Sequence, residues 1–232
     1  MSPPALLAVD LDGTLLHGSD GARAELRAQT AAGALEVVFV TGRRLADVRP
    51  LLDDPGLPEP RYVIADHGAT VVQVSQSLQP LRAAAQTLDA RALAQALRPF
   101  PGVRHDPVLS SARRGAFVLE PEAPEAAVVA ALTAQGWSVV HTPGRWLDVL
   151  PPGVDKGRSL RRLLAEASLE DREVIAAGDQ LPDLSMMEAA ALAVIVANAS
   201  EALRTAARRL RAAFFARSEG ADGIVEALRT AR

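Results

Sequence analysis

The sequence predicts an α/β fold with a parallel sheet at its core and an inserted α+β module. Short apolar runs without polar alternation recur along the chain, as is typical of strands buried on both faces of a parallel sheet. Segments with helical periodicity separate these runs. Between residues 71 and 150, neighbouring strand-like runs are instead joined by a tight turn, which indicates a separate antiparallel sheet.

The first 70 residues alternate between strand and helix. β-Branched and large apolar side chains are concentrated in three predicted strands, at residues 5–9, 36–40 and 62–65. An Ala-rich polar segment and a segment with apolar residues at helical spacing predict helices at 19–34 and 44–52. A segment containing Pro and Gly at 54–58 ends the second helix.

Residues 71–150 are predicted to form the inserted module, which leaves residues 1–70 and 151–232 as a discontinuous core domain. Its predicted strands are 71–74, 103–109, 116–120, 137–141 and 146–150. Its predicted helices are 88–97 and 125–135. The turn at 142–144 contains Pro and Gly, so the last two strands are expected to pair as a hairpin.

The last third returns to the alternating pattern of the core. An amphipathic helix is predicted after Lys156, with Leu160, Leu163 and Leu164 on one stripe. Further predicted strands are 173–177, 192–196 and 213–216. Further predicted helices are 201–211 and a terminal helix from residue 223.

Composition narrows the class of protein. The 232 residues are 49% hydrophobic, which suits a globular α/β protein, and the net charge of −3 predicts no nucleic-acid or membrane partner. The absence of cysteine excludes disulfides and thiolate catalysis. The start of the chain does not read as a signal peptide and the most apolar stretch, 189–197, is too short to span a bilayer, so we expect a cytoplasmic protein. No oligomeric state is predicted.

Two pairs of acids follow predicted core strands. Asp10 and Asp12 come after the first strand, and Asp179 and Asp183 come after strand 173–177. The carboxyl ends of parallel strands meet at one sheet edge, where such folds bind ligands. Clustered carboxylates repel one another, so a divalent cation such as Mg²⁺ is the expected counter-charge. Alone, Asp10 and Asp12 also fit ordinary loop acids after a strand, and Asp-x-Asp also fits a glycosyltransferase metal clamp.

Thr41 and Lys156 complete the expected set of active-site residues. Thr41 follows the second strand and is suited to hold an anion through its hydroxyl and the following amides. Lys156 is the only lysine among 25 basic residues, which suggests a position that needs a compact ammonium rather than a guanidinium. A cation, an ammonium and a hydroxyl together would bind a phosphoryl group.

These residues together resemble the haloacid dehalogenase-like (HAD) phosphatase superfamily. The matching motifs, in order along nearly the whole chain, are DLDGT at 10–14, TGR at 41–43, DKG at 155–157 and GD at 178–179 with Asp183. The insert resembles the type II cap of the Cof-like, sucrose-phosphatase-like and mannosyl-3-phosphoglycerate phosphatase branch. The resemblance implies a Rossmann-like parallel-sheet core with an inserted α+β cap domain.

The resemblance also implies roles for individual residues. Asp10 would be the nucleophile that forms an aspartyl-phosphate, and Asp12 would act as general acid and then general base. The implied phosphate ligands are Thr41, Gly42 and Lys156. The implied metal site consists of Asp10, Asp12 through its carbonyl, Asp179 and Asp183. Arg43, His67 and Asn198 are the candidates for contact with substrate.

The function implied is Mg²⁺-dependent hydrolysis of a small phosphorylated substrate, either a sugar phosphate or a glycosyl-phosphoglycerate. Two alternatives remain open at this point. One is a phosphomutase or phosphotransferase of the same superfamily, and the other is a non-catalytic phosphosugar-binding protein. Pro182 stands where this branch usually has asparagine, which is expected to weaken the metal geometry without abolishing activity.

Overall fold

The computed structural model describes residues 3–74, 78–81 and 87–230. The chain forms two compact units. The first combines Met1–Ala84 with Lys156–Arg232, and the second is Ala85–Asp155. Each unit has its own cluster of buried apolar side chains.

The strands, in chain order, are β1 (Ala5–Val9), β2 (Leu35–Val40), β3 (Pro60–Ala65), β4 (Thr70–Gln73), β5 (Gln79–Pro80), β6 (Val103–His105), β7 (Gly115–Leu119), β8 (Ser138–Thr142), β9 (Trp146–Leu150), β10 (Val174–Gly178), β11 (Leu192–Ile195) and β12 (Ala213–Phe215).

The α helices are α1 (Asp20–Ala31), α2 (Leu45–Leu52), α3 (Ala90–Leu97), α4 (Glu125–Ala134), α5 (Lys156–Glu166), α6 (Leu184–Met187), α7 (Glu201–Ala207) and α8 (Gly220–Thr230). Within the ranges that the structure describes, no helix has both the length and the apolar character that a membrane span requires.

The sheet of the first unit has the strand order β12-β11-β10-β1-β2-β3-β4-β5. Six of its strands, β12 to β3 in this order, are parallel, and β4 and β5 are antiparallel additions at one edge. The predicted α/β fold is therefore confirmed. From β1, the sheet continues with β2 and β3 on one side and with β10, β11 and β12 on the other. Open α/β sheets bind ligands at the carboxyl ends of the strands at such a switch point.

The central strands are buried because they have almost no polar residues. Four of the five residues of β1 and all five of β10 are buried, as expected for strands covered on both faces. Helix α5 packs through the predicted stripe of Leu160, Leu163 and Leu164. This packing holds the first turn of α5 near the carboxyl ends of the strands.

The second unit is a four-stranded antiparallel sheet with the order β6-β7-β9-β8. The predicted hairpin of β8 and β9 is present. Its core is formed by one face of β7 and β9 and by the apolar stripes of α3 and α4. The buried residues of this core are Leu93, Leu97, Phe117, Leu119, Val128, Leu132, Leu147 and Val149.

Two segments differ from the sequence-based expectation. Residues 71–74 were expected to begin the insert, but β4 pairs with β3 because the tight turn Asp66–Gly68 sends the chain straight back along that strand. The second unit accordingly begins at Ala85 rather than at residue 71. The strand expected at 103–109 ends at His105, because the Asp106 carboxylate accepts the N–H groups of the next turn.

Candidate active site

The carboxyl edge of the first sheet brings together residues that are far apart in the sequence. Asp10 follows β1, Thr41 follows β2 and Asp179 follows β10. Val9 of β1 pairs with Phe39 of β2 and with Ala177 of β10, so the three strands end nearly level. This register brings the three side chains to one edge of the sheet, where the sequence predicts them.

Lys156 lies between two carboxylates. Its Nζ donates a 2.6 Å hydrogen bond to Oδ1 of Asp10 and another of 2.6 Å to Oδ1 of Asp183. The lysine side chain is only 4% exposed. The sole lysine of the chain is therefore a buried link between the first and the last predicted motif.

The residue after Lys156 explains how α5 can come so close. A Cβ at Gly157 would lie 1.8 Å from the carbonyl oxygen of Ser185, which no side chain tolerates. The Gly157 N–H also donates a 3.0 Å hydrogen bond to the Ser185 hydroxyl. Glycine thus lets the first turn of α5 pack directly on α6, and this packing positions Lys156.

Asp183 is surrounded by hydrogen-bond donors. Its Oδ2 accepts the backbone N–H groups of Asp179 (3.0 Å) and Gln180 (2.9 Å), while Oδ1 accepts Lys156. The side chain is 1% exposed. Asp183 therefore fixes both the loop that carries Asp179 and the position of the lysine.

Two neutral side chains orient Asp179. The hydroxyl of Thr14 donates to its Oδ1 at 3.0 Å, and the amide of Gln180 donates to its Oδ2 at 2.8 Å. Gly13 has φ +78°, and a Cβ there would lie 2.4 Å from Oδ2 of Asp179. The sequence does not predict that Thr14 and Gln180 contact this carboxylate, although Thr14 is the last residue of the first motif and Gln180 directly follows Asp179.

The charges of this cluster do not balance. Asp10, Asp179 and Asp183 have carboxylate oxygens within 4.8 Å of one another, so three ionised acids with one ammonium would carry a net −2. Burial raises the pKa of Asp10 to about 8 against the opposing effect of Lys156, and Asp183 adds to the rise. Burial also raises the pKa of Asp179. The cluster thus has more negative charge than its single ammonium can balance.

The lysine keeps its charge in these surroundings. Burial alone would lower the pKa of Lys156, but the carboxylates of Asp10 and Asp183 outweigh burial and raise the pKa above its ordinary value. A hard divalent cation bound by carboxylate oxygens would supply the positive charge that the three acids still need. The donor set, all oxygen and largely buried, fits Mg²⁺.

Asp12 lies outside that group of carboxylates. Its side chain is 59% exposed and accepts two hydrogen bonds from the guanidinium of Arg43, at 2.7 Å from Nε and 2.5 Å from Nη2. Of the predicted metal ligands, Asp12 is thus paired with Arg43, whereas Asp10 and Asp183 are paired with Lys156. This is compatible with the expected ligation through its carbonyl.

Thr41 and Gly42, which follow β2, pack against His67 in the turn after β3. The Thr41 hydroxyl accepts the N–H of Arg43 at 3.1 Å, and the Thr41 carbonyl accepts the N–H of His67 at 3.0 Å. A Cβ at Gly42 would lie 2.4 Å from Cε1 of the His67 ring, so the ring packs against the glycine. His67 and Asp66 both have left-handed φ values, 54° and 51°. Such backbone strain is concentrated at functional sites.

Asn198 holds two backbone segments together. Its Nδ2 donates a 2.7 Å hydrogen bond to the carbonyl of Gly13, and its Oδ1 accepts the N–H of Gly220 at 3.0 Å. The amide therefore ties the turn after Asp10 to the start of α8. Its expected contact with substrate stays a prediction.

Comparison with known proteins is consistent with this geometry. The family model described as sucrose-6F-phosphate phosphohydrolase matches residues 3–230. The chain belongs to this family. This family lies within the sucrose-phosphatase-like branch that the HAD resemblance indicated.

Two relatives show how family members differ in extent. The chain is 37% identical over 231 residues to the glucosylglycerol-phosphate synthase of Pseudomonas anguilliseptica, covering 96% of this chain but only 30% of that protein. It is 30% identical over 248 residues to the mannosylfructose-phosphate phosphatase of Agrobacterium fabrum, covering 99% of this chain and 97% of that enzyme. The chain thus spans less than a third of the synthase and nearly all of the phosphatase.

Solved structures confirm the fold. The sucrose-phosphatase of a Synechocystis species, in complex with sucrose and phosphate, has a TM-score of 0.82 at 24% identity and covers 99% of this chain and 98% of its own. A haloacid dehalogenase-like hydrolase from Bacteroides thetaiotaomicron has a TM-score of 0.73 at 21% identity, with coverages of 99% and 100%. Both likenesses extend over the whole chain.

Proposed function

We propose that this protein is a phosphomonoester hydrolase that acts on a phosphorylated sugar or glycoside. One observation carries the proposal: the buried Asp10 carboxylate is hydrogen-bonded to the sole lysine, beside Asp179 and Asp183, in a chain of this phosphohydrolase family. An anionic nucleophile that attacks an anionic phosphate needs positive charge around it. Lys156 supplies part of that charge, and Mg²⁺ is expected to supply the rest.

The proposed reaction has two steps. A carboxylate oxygen of Asp10 attacks phosphorus, and the bond from phosphorus to the ester oxygen breaks while Asp12 gives that oxygen a proton. Water then attacks the phosphorus of the aspartyl-phosphate, and Asp12 accepts its proton. Phosphate leaves, and Asp10 is regenerated. Lys156 and the Thr41–Gly42 turn are assigned to the phosphoryl oxygens in both steps.

The metal site is assigned to the same sheet edge. Asp10, Asp179 and the carbonyl of Asp12 would hold Mg²⁺, which would neutralise charge on the phosphoryl group. Asp183 is assigned a supporting role, because its two oxygens already accept three hydrogen bonds. Thr14 and Gln180 keep the Asp179 carboxylate oriented toward the site.

The second unit, Ala85–Asp155, is assigned the role of a cap that selects the leaving group. The substrate class rests on three of the matches: the names of the family model, of the Agrobacterium fabrum phosphatase and of the synthase each refer to a phosphorylated glycoside. Glycosyl-phosphoglycerates remain candidates from the sequence resemblance. We therefore expect a glycoside in which a sugar is linked to a second sugar or a small polyol, and which carries the phosphate as a monoester.

The test is phosphate release from a panel of such esters, with Mg²⁺ or with EDTA, by wild type and Asp10→Asn. The panel contains sucrose 6F-phosphate, mannosylfructose phosphate, glucosylglycerol phosphate, a glucosyl-3-phosphoglycerate and 4-nitrophenyl phosphate. Mg²⁺-dependent release that the substitution abolishes is the expected result.

The alternatives give different results in the same assay. A phosphotransferase would release more alcohol than phosphate when a second sugar is present as acceptor. A binding protein would release nothing, even from the aryl ester, yet would be stabilised thermally by one member of the panel. Either result would replace hydrolysis as the proposed activity.

A further inference from the structure

Arg43 and Asp12 form a two-pronged ion pair at the edge of the proposed active site. Nε and Nη2 of Arg43 each donate to a different oxygen of Asp12, at 2.7 and 2.5 Å. This fork fixes the rotation of the carboxylate as well as its position, which a single hydrogen bond cannot do. The pair joins the first and second motifs, since Asp12 and Arg43 lie 31 residues apart in the sequence.

The backbone of Arg43 is itself anchored. Its N–H donates to the Thr41 hydroxyl at 3.1 Å, and its carbonyl accepts the N–H of Asp66 at 2.8 Å. The guanidinium therefore extends from a fixed turn toward Asp12. The side chain of Arg43 is 33% exposed, and that of Asp12 is 59% exposed.

An exposed pair of this kind contributes little to folding, on the order of 1 kcal/mol or less. Its geometry matters more for chemistry, because a general acid–base group must lie within hydrogen-bond reach of the atom it serves. A carboxylate offers about four lone-pair directions, and the fork occupies two of them. The two remaining directions can carry the proton that Asp12 gives to a leaving oxygen, or accept a proton from a water molecule.

We propose that Arg43 is a positioning residue that orients Asp12 for proton transfer, rather than a ligand of the substrate phosphate. The inference rests on the proposed function, since it takes Asp12 as the general acid and base. It replaces the expectation that Arg43 contacts substrate with a role exerted through another side chain. The two roles predict different kinetics.

The experiment compares a sugar phosphate from the panel with 4-nitrophenyl phosphate. An alkoxide leaving group needs a proton from Asp12, whereas nitrophenolate leaves without one. Arg43→Ala is therefore expected to lower kcat/KM about tenfold or more on the sugar phosphate and about threefold or less on the aryl ester. Equal losses on both esters would show that Arg43 serves the shared phosphoryl group, and would overturn the proposal.

A double-mutant cycle gives the second criterion. Arg43→Ala is expected to change kcat/KM on the sugar phosphate less than about threefold in an Asp12→Asn background, because its effect passes through Asp12. The full effect in that background would overturn the proposal. Arg43→Lys keeps the charge but not the fork. It is expected to restore little of the kcat/KM that Arg43→Ala loses on the sugar phosphate. Full rescue by lysine would show that charge alone suffices, and would overturn the proposal.

Arg44→Ala is the matched control. Arg44 is the next residue and forms its own fork with Asp47, at 2.6 Å from both Nε and Nη2. It is expected to leave kcat/KM on both esters near wild type. Thermal unfolding of every variant shows whether a kinetic loss is due to misfolding.

A readout without turnover separates this inference from the proposed function. The Nε–H signal of Arg43 in a ¹H–¹⁵N spectrum is identified by its absence in Arg43→Lys, and it is expected to shift in Asp12→Asn. An unchanged signal would show that the pair does not form in solution, and would overturn the inference. An inactive wild type would instead refute the proposed function.

Discussion

The ammonium of Lys156 lies 2.6 Å from the carboxylate of Asp10, and the two side chains are only 4% and 8% exposed. The same ammonium is 2.6 Å from Asp183. A single cationic side chain thus links two buried acids, and a third acid, Asp179, has a carboxylate oxygen within 4.8 Å of theirs. The charge balance of the site depends on this lysine.

Lys156→Met is expected to abolish phosphatase activity and to destabilise the metal-free protein by about 3 kcal/mol, because it leaves buried carboxylates without their cation. Steady-state rates and urea unfolding in EDTA measure the two effects. Arg161→Met is the control, since Arg161 is an exposed residue of the same helix. Equal stability of wild type and Lys156→Met would contradict the assigned role.

Gly157→Ala is expected to lower both stability and activity. Its Cβ would lie 1.8 Å from the Ser185 carbonyl, so α5 must shift and displace Lys156, at a cost of about 1–3 kcal/mol or more. Gly21→Ala is the matched control at the second residue of α1, where the nearest atom is 3.8 Å away. Because alanine favours helix, it should stabilise by about 0.5–1 kcal/mol. Urea unfolding of both variants tests the contrast.

The pH dependence of stability follows from the raised pKa of Asp10, about 8 in the folded metal-free protein. Since the folded state then binds a proton more tightly than the unfolded state, stability falls as the pH rises from about 4, near the ordinary pKa of an aspartate, to about 8. Asp10→Asn is expected to remove most of this slope in EDTA and to be more stable than wild type at pH 8. Mg²⁺ should flatten the slope of wild type. A slope that persists in Asp10→Asn would assign it to other groups.

Asn198→Asp tests whether Asn198 acts on the backbone or on substrate. The new carboxylate can still accept the N–H of Gly220 but faces the carbonyl of Gly13, which it cannot donate to. We expect kcat to fall about tenfold with KM nearly unchanged, because the turn that carries Asp12 is distorted. A rise in KM at unchanged kcat would instead support the predicted substrate contact.

Much of the core could be predicted because its signals are local. Strands buried on both faces have uninterrupted apolar runs, and parallel strands necessarily end at a common edge, so Asp10, Thr41 and Asp179 could be placed together from spacing alone. The single lysine stood out because arginine serves every other basic position. The structure then places Lys156 directly against Asp10.

Two other features of the structure could not be predicted, because they depend on contacts that sequence spacing does not specify. The pairing of β4 with β3 follows from the left-handed turn at Asp66 and His67, whose N–H groups donate to the carbonyls of Arg43 and Thr41. The fork from Arg43 to Asp12 depends on how two loops face each other across the sheet edge. Neither relationship leaves a periodic signal in the sequence.

Pro182 occupies a position where a missing N–H costs little. Leu181–Asp183 is a single 3₁₀ turn, and it is closed by the Asp183 N–H, which donates to the Gln180 carbonyl at 2.9 Å. Proline is tolerated at the start of such a turn, where N–H groups lack internal partners. Asp183 keeps its bonds to Lys156 and to the loop of Asp179 despite the proline.

Pro182→Asn is therefore expected to leave kcat unchanged or to raise it, with tighter Mg²⁺ activation if the amide reaches the metal site. Pro182→Ala is the matched control, because it removes the ring without adding an amide. Both variants should lose about 0.4–1 kcal/mol of stability, since proline restricts the unfolded chain. Mg²⁺ titrations of activity and urea unfolding measure these effects. A tenfold fall in kcat for Pro182→Asn alone would mean that this site has adapted to the proline.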